Sequence, residues 1–272
     1  MATLPVASHL CRPDGALFGG TALAATLALL EQTTGRPALW ATVQFVGSAT
    51  AGERITCTAE LGARGGYIDQ VRIRGAVEDR VVFDAVGAAA TPRAGGITGV
   101  GVVMPDVPPP EDCAPFGGPS GVMIDLPPVG HHTVSEYRAA PLRGAGGDDP
   151  GSVALWARLN GERATTSAKL GFLGDMVPIA VCRAAGVAGA GTSLDNSIRI
   201  AKLVDSEWLL VHLQAHAASD GYGYGVGHFW TPDGQLLGTS SQTAKLFSVD
   251  SIIQRRMLAA PPDSPDMPDP SL

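Results

Sequence analysis

KLGFLGDMVPIAVCRAAG at 169–186 and ALFGGTALAATLALL at 16–30 each carry a Phe-x-Gly step into an apolar run, and their relation decides how the chain is organised. At an offset of 154–155 residues Phe18 falls on Phe172, Gly20 on Gly174, Phe45 on Ile200, Gly66-Tyr67 on Gly221-Tyr222, and Val81-Val82 on Leu236-Leu237. Five anchors at nearly one offset mark a tandem repeat. One position breaks it: Asp175 faces Thr21, so the second copy has an acid where the first has none.

Each copy follows the same order of elements. In the first, 19–34 is apolar or small almost throughout, the signature of a helix buried on most of its circumference. LWATVQFV (39–46), RITCTAEL (54–61), YIDQVRIRGAV (67–77) and RVVFDAVGAAA (80–90) follow, and their β-branched, alternating composition predicts antiparallel strands. The second copy predicts a helix near 174–186, then strands in TSLDNSIRI, EWLLVHLQA, GYGVGHFW and QLLGTSSQTAKLFSV, with TPDGQ as a hairpin turn.

The expected organisation is an N-terminal unit at 1–103, a Pro- and Gly-rich connection over the surface at 104–151, a C-terminal unit at 152–250 and a disordered tail at 251–272. One buried helix wrapped by a curved antiparallel sheet, written twice, predicts an α+β double hotdog.

Composition narrows the function classes. Of 272 residues 45% are hydrophobic and 17% charged, with a net charge of −7, so no basic excess points to nucleic acid. No run is long enough for a membrane span and the first residues lack a secretory pattern, which predicts a soluble, intracellular, cytoplasmic protein. Cys11, Cys57, Cys113 and Cys182 lack metal or disulfide spacing and read as reduced core fillers. His131, His132, His212, His216 and His228 lack the grouping of a metal site, so no metal or cofactor is expected.

The motifs resemble the acyl-CoA thioesterase II (TesB-like) family across roughly 15–248. They are Phe18-Gly19-Gly20, then Asp175, Ser193-Leu194-Asp195-Asn196-Ser197, Glu207-Trp208-Leu209-Leu210, Asp233-Gly234-Gln235-Leu236-Leu237 leading to Gln242, and the MPDVPPPED stretch. Asn196 stands where that family usually has His, and Thr243 where it usually has Glu. The resemblance implies hydrolysis of acyl-CoA thioesters by a water-positioning trio that falls on Asp175, Ser193 and Gln242. Asp195 would support it.

Residue chemistry is compatible with that implication. Asp175 can act as a base, and a position at the start of an apolar helix would favour its carboxylate and supply backbone donors for an oxyanion. Gly174 would let a thioester approach that backbone. Ser193 and Gln242 can orient a water. No GxSxG occurs, which argues against a Ser acyl-enzyme. Each residue alone also fits a plainer role: Asp175 as a helix cap, Ser193 with Asp195, Ser197 and Arg199 as a solvated strand face, Gln242 as a surface residue.

An apolar acyl tunnel is expected along Leu23, Phe45, Phe172, Met176 and Ile179, with Arg64, Arg72, Arg199 and Lys202 as candidates for the coenzyme A phosphates. The alternative is a catalytically weak acyl-CoA or acyl-chain binding protein of the same fold. A hydratase is disfavoured because no G-D-x-N-P-x-H loop is present. The unpaired edges of such a sheet also predict a homo-oligomer.

Overall fold

In the computed structural model, which describes residues 1–116, 129–144 and 149–248, eleven strands form one sheet in the order β1-β3-β4-β5-β2-β8-β11-β10-β9-β7-β6. The first half holds β1 (Ala2–Pro5), α1 (Gly19–Thr34), β2 (Ala38–Phe45), β3 (Arg54–Arg64), β4 (Ile68–Val77) and β5 (Arg80–Ala90). The second holds β6 (Ser135–Ala139), β7 (Ser152–Leu159), α2 (Ser167–Leu173), α3 (Val177–Ala184), β8 (Gly189–Ile200), β9 (Leu209–Ser219), β10 (Tyr222–Trp230) and β11 (Leu236–Ser248). The tail expected at 251–272 lies outside the described residues.

The order reads the same from the middle outwards. β2 and β8 pair antiparallel at the seam, with Thr42 opposite Ser197 and their hydroxyls 2.8 Å apart, and β5, β4, β3, β1 on one side match β11, β10, β9, β7 on the other. The repeated unit is therefore strand, helix, four strands. The fold is the expected double hotdog, with one additional strand in each copy: the four-residue β1 and the eight-residue β7 were not among the sequence-predicted elements. Residues 104–151, expected as a surface connection, also contribute β6, which pairs with β7 and forms an edge.

Helices occupy one face of the sheet. Leu23, Leu27 and Leu30 of α1 are fully buried in one cluster with Ile55, Phe83, Ile198 and Phe229. Each such burial contributes about 1.5–3 kcal/mol. On the opposite face the 104–116 stretch covers part of the second half, where Cys113, Ala154, Trp156, Leu210 and Trp230 pack together and Trp156 Nε1 donates to the Pro108 carbonyl at 2.8 Å. All four cysteines are free and buried. Among the described residues no helix is long and apolar enough to cross a membrane.

The second helix departs from the single run expected at 174–186. Thr166 caps α2 by accepting from the Lys169 N–H at 3.1 Å, and the helix stops at Gly174. Pro178 has no N–H to offer the Gly174 carbonyl, so α2 cannot run on into α3; Pro178 instead occupies the tolerated first turn of the new helix. The interruption, Gly174-Asp175-Met176, is where the acid sits.

Candidate active site

Asp175 is buried in this interruption, and three side-chain donors converge on its Oδ1. Ser193 Oγ donates at 3.0 Å, Asn196 Nδ2 at 3.0 Å and Gln242 Nε2 at 2.6 Å. Gln242 Nε2 also donates to Ser193 Oγ at 2.7 Å, while its Oε1 accepts the Val177 N–H of α3 at 3.2 Å. That last bond fixes the amide: an N–H needs an acceptor, so Oε1 must face α3 and the NH2 must face the carboxylate.

The second half does not cap this carboxylate with its own helix. Met176 is the N-cap of α3, and the Asp175 carboxylate accepts instead from the Gly20 backbone N–H at the start of α1. A Cβ on Gly19 would overlap Asp175 Oδ2, and one on Gly20 would overlap the Phe172 carbonyl oxygen. The Gly19-Gly20 pair of one copy thus exists to let the acid of the other copy reach the helix N-terminus, whose field favours an anion. Thr21, the counterpart of Asp175, donates to the Leu10 carbonyl at 2.8 Å.

Burial raises the Asp175 pKa above the ordinary carboxylate value, and hydrogen bonds from Asn196, Ser193 and Gly20, with the nearby Arg12 cation, partly offset that rise. A carboxyl poised upward in this way is a stronger base than an ordinary carboxylate. Arg12 donates to Asp14 at 2.7 Å and to Thr192 Oγ1 at 3.3 Å, beside Ser193.

A β-bulge brings Ser193 and Asn196 to one face. Asp195 pairs with Thr243 but Ser193 with Ala244, so Leu194 is the extra residue and the alternation inverts there. Ser193 therefore does not share a face with Asp195, Ser197 and Arg199 as strict alternation predicts. Asp195 points to the other face, where it lines an outer groove with Gln44, Arg72 and Arg74, and its Oδ1 closes the bulge by accepting the Thr243 N–H at 3.0 Å. It does not reach the cleft.

The remaining expected binding residues are packed inside. Gly174 lies under Phe229, where a Cβ would come within 2.8 Å of the ring. Phe172 meets Phe18 edge-to-face at 5.4 Å and Met176 is buried at the α3 cap. His131 stacks on Phe18 at 4.1 Å and also meets Phe172 edge-on, and burial holds its pKa down to about 3, so it is a neutral packing group that braces the Phe18-Gly19 step.

Next to Asp175 a cleft of about 110 Å³ is lined by Arg12, Leu17, Gly19, Phe45, Val82 and Ser193, among others. Of the expected tunnel residues Phe45 alone lines it; Leu23, Phe172 and Met176 belong to the packed core. Among the four basic residues proposed for phosphates, Arg72 lies in the outer groove, whereas Arg12 borders the cleft. Arg12 and Asn196 were missed: the first precedes any motif, and the second needs the bulge to face inward.

Residues 110–246 match the family model described as the acyl-CoA thioesterase C-terminal domain. No curated protein matches the chain in sequence. A proposed thioesterase from Novosphingobium aromaticivorans is 29% identical, with 86% of this chain and 92% of that one covered and a TM-score of 0.74. A protein of unknown function with a hot dog fold from Alicyclobacillus acidocaldarius is 23% identical over 90% and 92%, also at 0.74. Acyl-CoA thioesterase II from Mycobacterium marinum is 18% identical over 86% and 90%, at 0.67. The last two are likenesses of fold.

Proposed function

The chain belongs to the acyl-CoA thioesterase family and is a thioester hydrolase, and from that premise we propose that Asp175 activates the attacking water, in a trio with Ser193 and Gln242 that orients its carboxylate. The convergence of donors from β8 and β11 on one oxygen of a buried carboxylate, beside a cleft and a helix N-terminus, carries this reading. Occupying Oδ1 with Ser193, Asn196 and Gln242 fixes the carboxylate plane. The other oxygen, beside Gly19, is then the one that takes the proton.

In the proposed reaction water attacks the thioester carbonyl carbon as Asp175 removes its proton, and the carbonyl electron pair moves to oxygen. The positive N-terminal end of α1, whose Gly20 N–H serves Asp175, stabilises that oxyanion through its dipole. Collapse breaks the C–S bond, and the proton passes from Asp175 to the departing thiolate. Asn196 and Gln242 act by keeping the carboxylate in place, and Arg12 favours its ionised form. We also read 1–103 and 152–250 as the two units and 104–151 as their connection, on the matched strand order either side of the β2–β8 seam. Self-association belongs to the same reading, supported by the open outer groove on the first half.

Single-turnover hydrolysis in H₂¹⁸O, with mass spectrometry of the acid and the intact protein, tests the direct attack. One ¹⁸O in the acid and no acyl-protein species is expected. An acyl adduct on Ser193 would refute it.

A further inference from the structure

We infer that the acyl group taken at the Asp175 cleft is short, about two to four carbons, and that Phe45 is the wall that ends it. The inference rests on the reading of Asp175 as the hydrolytic centre. Ligand pockets for larger molecules span about 300–1,000 Å³, and a cavity of about 150 Å³ admits benzene. The cleft of about 110 Å³ therefore accommodates about four carbon-sized atoms. Its apolar part is made by Leu17, Phe45, Ala49, Val82 and Pro178, and the Phe45 ring bounds it on the side of Gly19, its tip 3.1 Å from where a Cβ on Gly19 would lie.

No second route for a long chain opens from this point among the described residues. The interior between helices and sheet is filled, with Leu23 and Leu173 fully buried and Phe172 and Met176 nearly so. α1 and α2 approach so closely at Gly20 and Phe172 that no Cβ fits between them. The larger groove, about 800 Å³, lies on the other face of the sheet, and its Glu60, Arg72, Arg74, Asp84 and Asp195 make it unsuitable for an alkyl chain. A chain beyond about four carbons must displace Phe45 or remain in water.

The test measures kcat/KM by thiol release for acetyl-, butyryl-, octanoyl- and palmitoyl-CoA, using wild type, Phe45→Ala and the milder Phe45→Leu. Wild type is expected to favour butyryl- over octanoyl-CoA by about tenfold or more, since one methylene at a fitted wall is worth that much. Phe45→Ala is expected to shrink or reverse the ratio, with Phe45→Leu in between and sufficient alone if the alanine variant does not fold. Equal or better use of octanoyl- or palmitoyl-CoA by wild type overturns the short-acyl inference and leaves hydrolysis standing. An unchanged ratio in folded Phe45 variants overturns the assignment of the wall. No thiol release at any length overturns this inference and the hydrolytic reading together.

Discussion

Gln242 Nε2 lies 2.6 Å from Asp175 Oδ1, and the same side chain accepts the Val177 N–H through Oε1. One amide thus links β11, the carboxylate and the first turn of α3. Replacing it with Glu removes both N–H donors and places a second acid against a buried one. Gln242→Glu is expected to lower kcat by about two orders of magnitude and to raise the apparent pKa of the acidic limb, because like charges in contact resist joint ionisation. Gln242→Ala should lower kcat with less effect on the pH profile. Paired pH–rate profiles check both.

The carboxylate itself sets the acidic limb. Burial raises the Asp175 pKa, so activity on a short acyl-CoA should decline on acidification above the range of an ordinary carboxyl. Asn196→Ala removes a donor to the charged form and Arg12→Ala removes a favourable cation, so each should move that limb to higher pH. The Arg12 effect should fade in high salt because its side chain is partly exposed, and the Asn196 effect should not.

Stability should follow the opposite sign from a salt-bridged acid. The native state of a carboxyl with a raised pKa binds a proton more readily than the unfolded state does. Its contribution is present at low pH and is lost as pH climbs from the ordinary carboxyl value through the raised one. At neutral pH Asp175→Asn removes the buried charge, and its midpoint of thermal unfolding is expected to equal or exceed that of wild type.

Gly19 and Gly35 separate site from scaffold. A methyl at Gly19 meets the Asp175 carboxylate, so Gly19→Ala should abolish most activity by displacing that group. Gly35 ends α1 at φ 70°, with nothing near a Cβ, so Gly35→Ala should cost about 1 kcal/mol of stability and leave kcat unchanged. Thermal melts and kcat measured on both variants decide between these outcomes.

Asp195 does its work from the far face. Asp195→Ala leaves the Thr243 N–H at the bulge without its acceptor, which should lower stability by about 1 kcal/mol and loosen Ser193. The expected activity loss is about tenfold, in kcat rather than KM. A rise in KM alone would show that Asp195 touches substrate after all.

The double hotdog was legible because a buried helix followed by four alternating strands is written twice. β1 and β6, of four and five residues, were too short to carry a pattern. The break between α2 and α3 was marked by Pro178, but apolar continuity from Leu170 through Val181 concealed it. Asp175, Ser193 and Gln242 were found by resemblance, not by periodicity, since the bulge at Leu194 turns Ser193 against the alternation of its own strand. No local signal shows that the acid of the second copy is served by the helix start of the first. The repeated Phe-x-Gly is asymmetric for that reason: Gly20 supplies a donor, and Asp175 is its acceptor.

The most direct test compares kcat/KM for butyryl-CoA between wild type and Asp175→Asn, with both proteins shown to be folded by their thermal transitions. Asp175 as the group that activates water predicts a loss of about two or more orders of magnitude. A folded Asp175→Asn within threefold of wild type would contradict it.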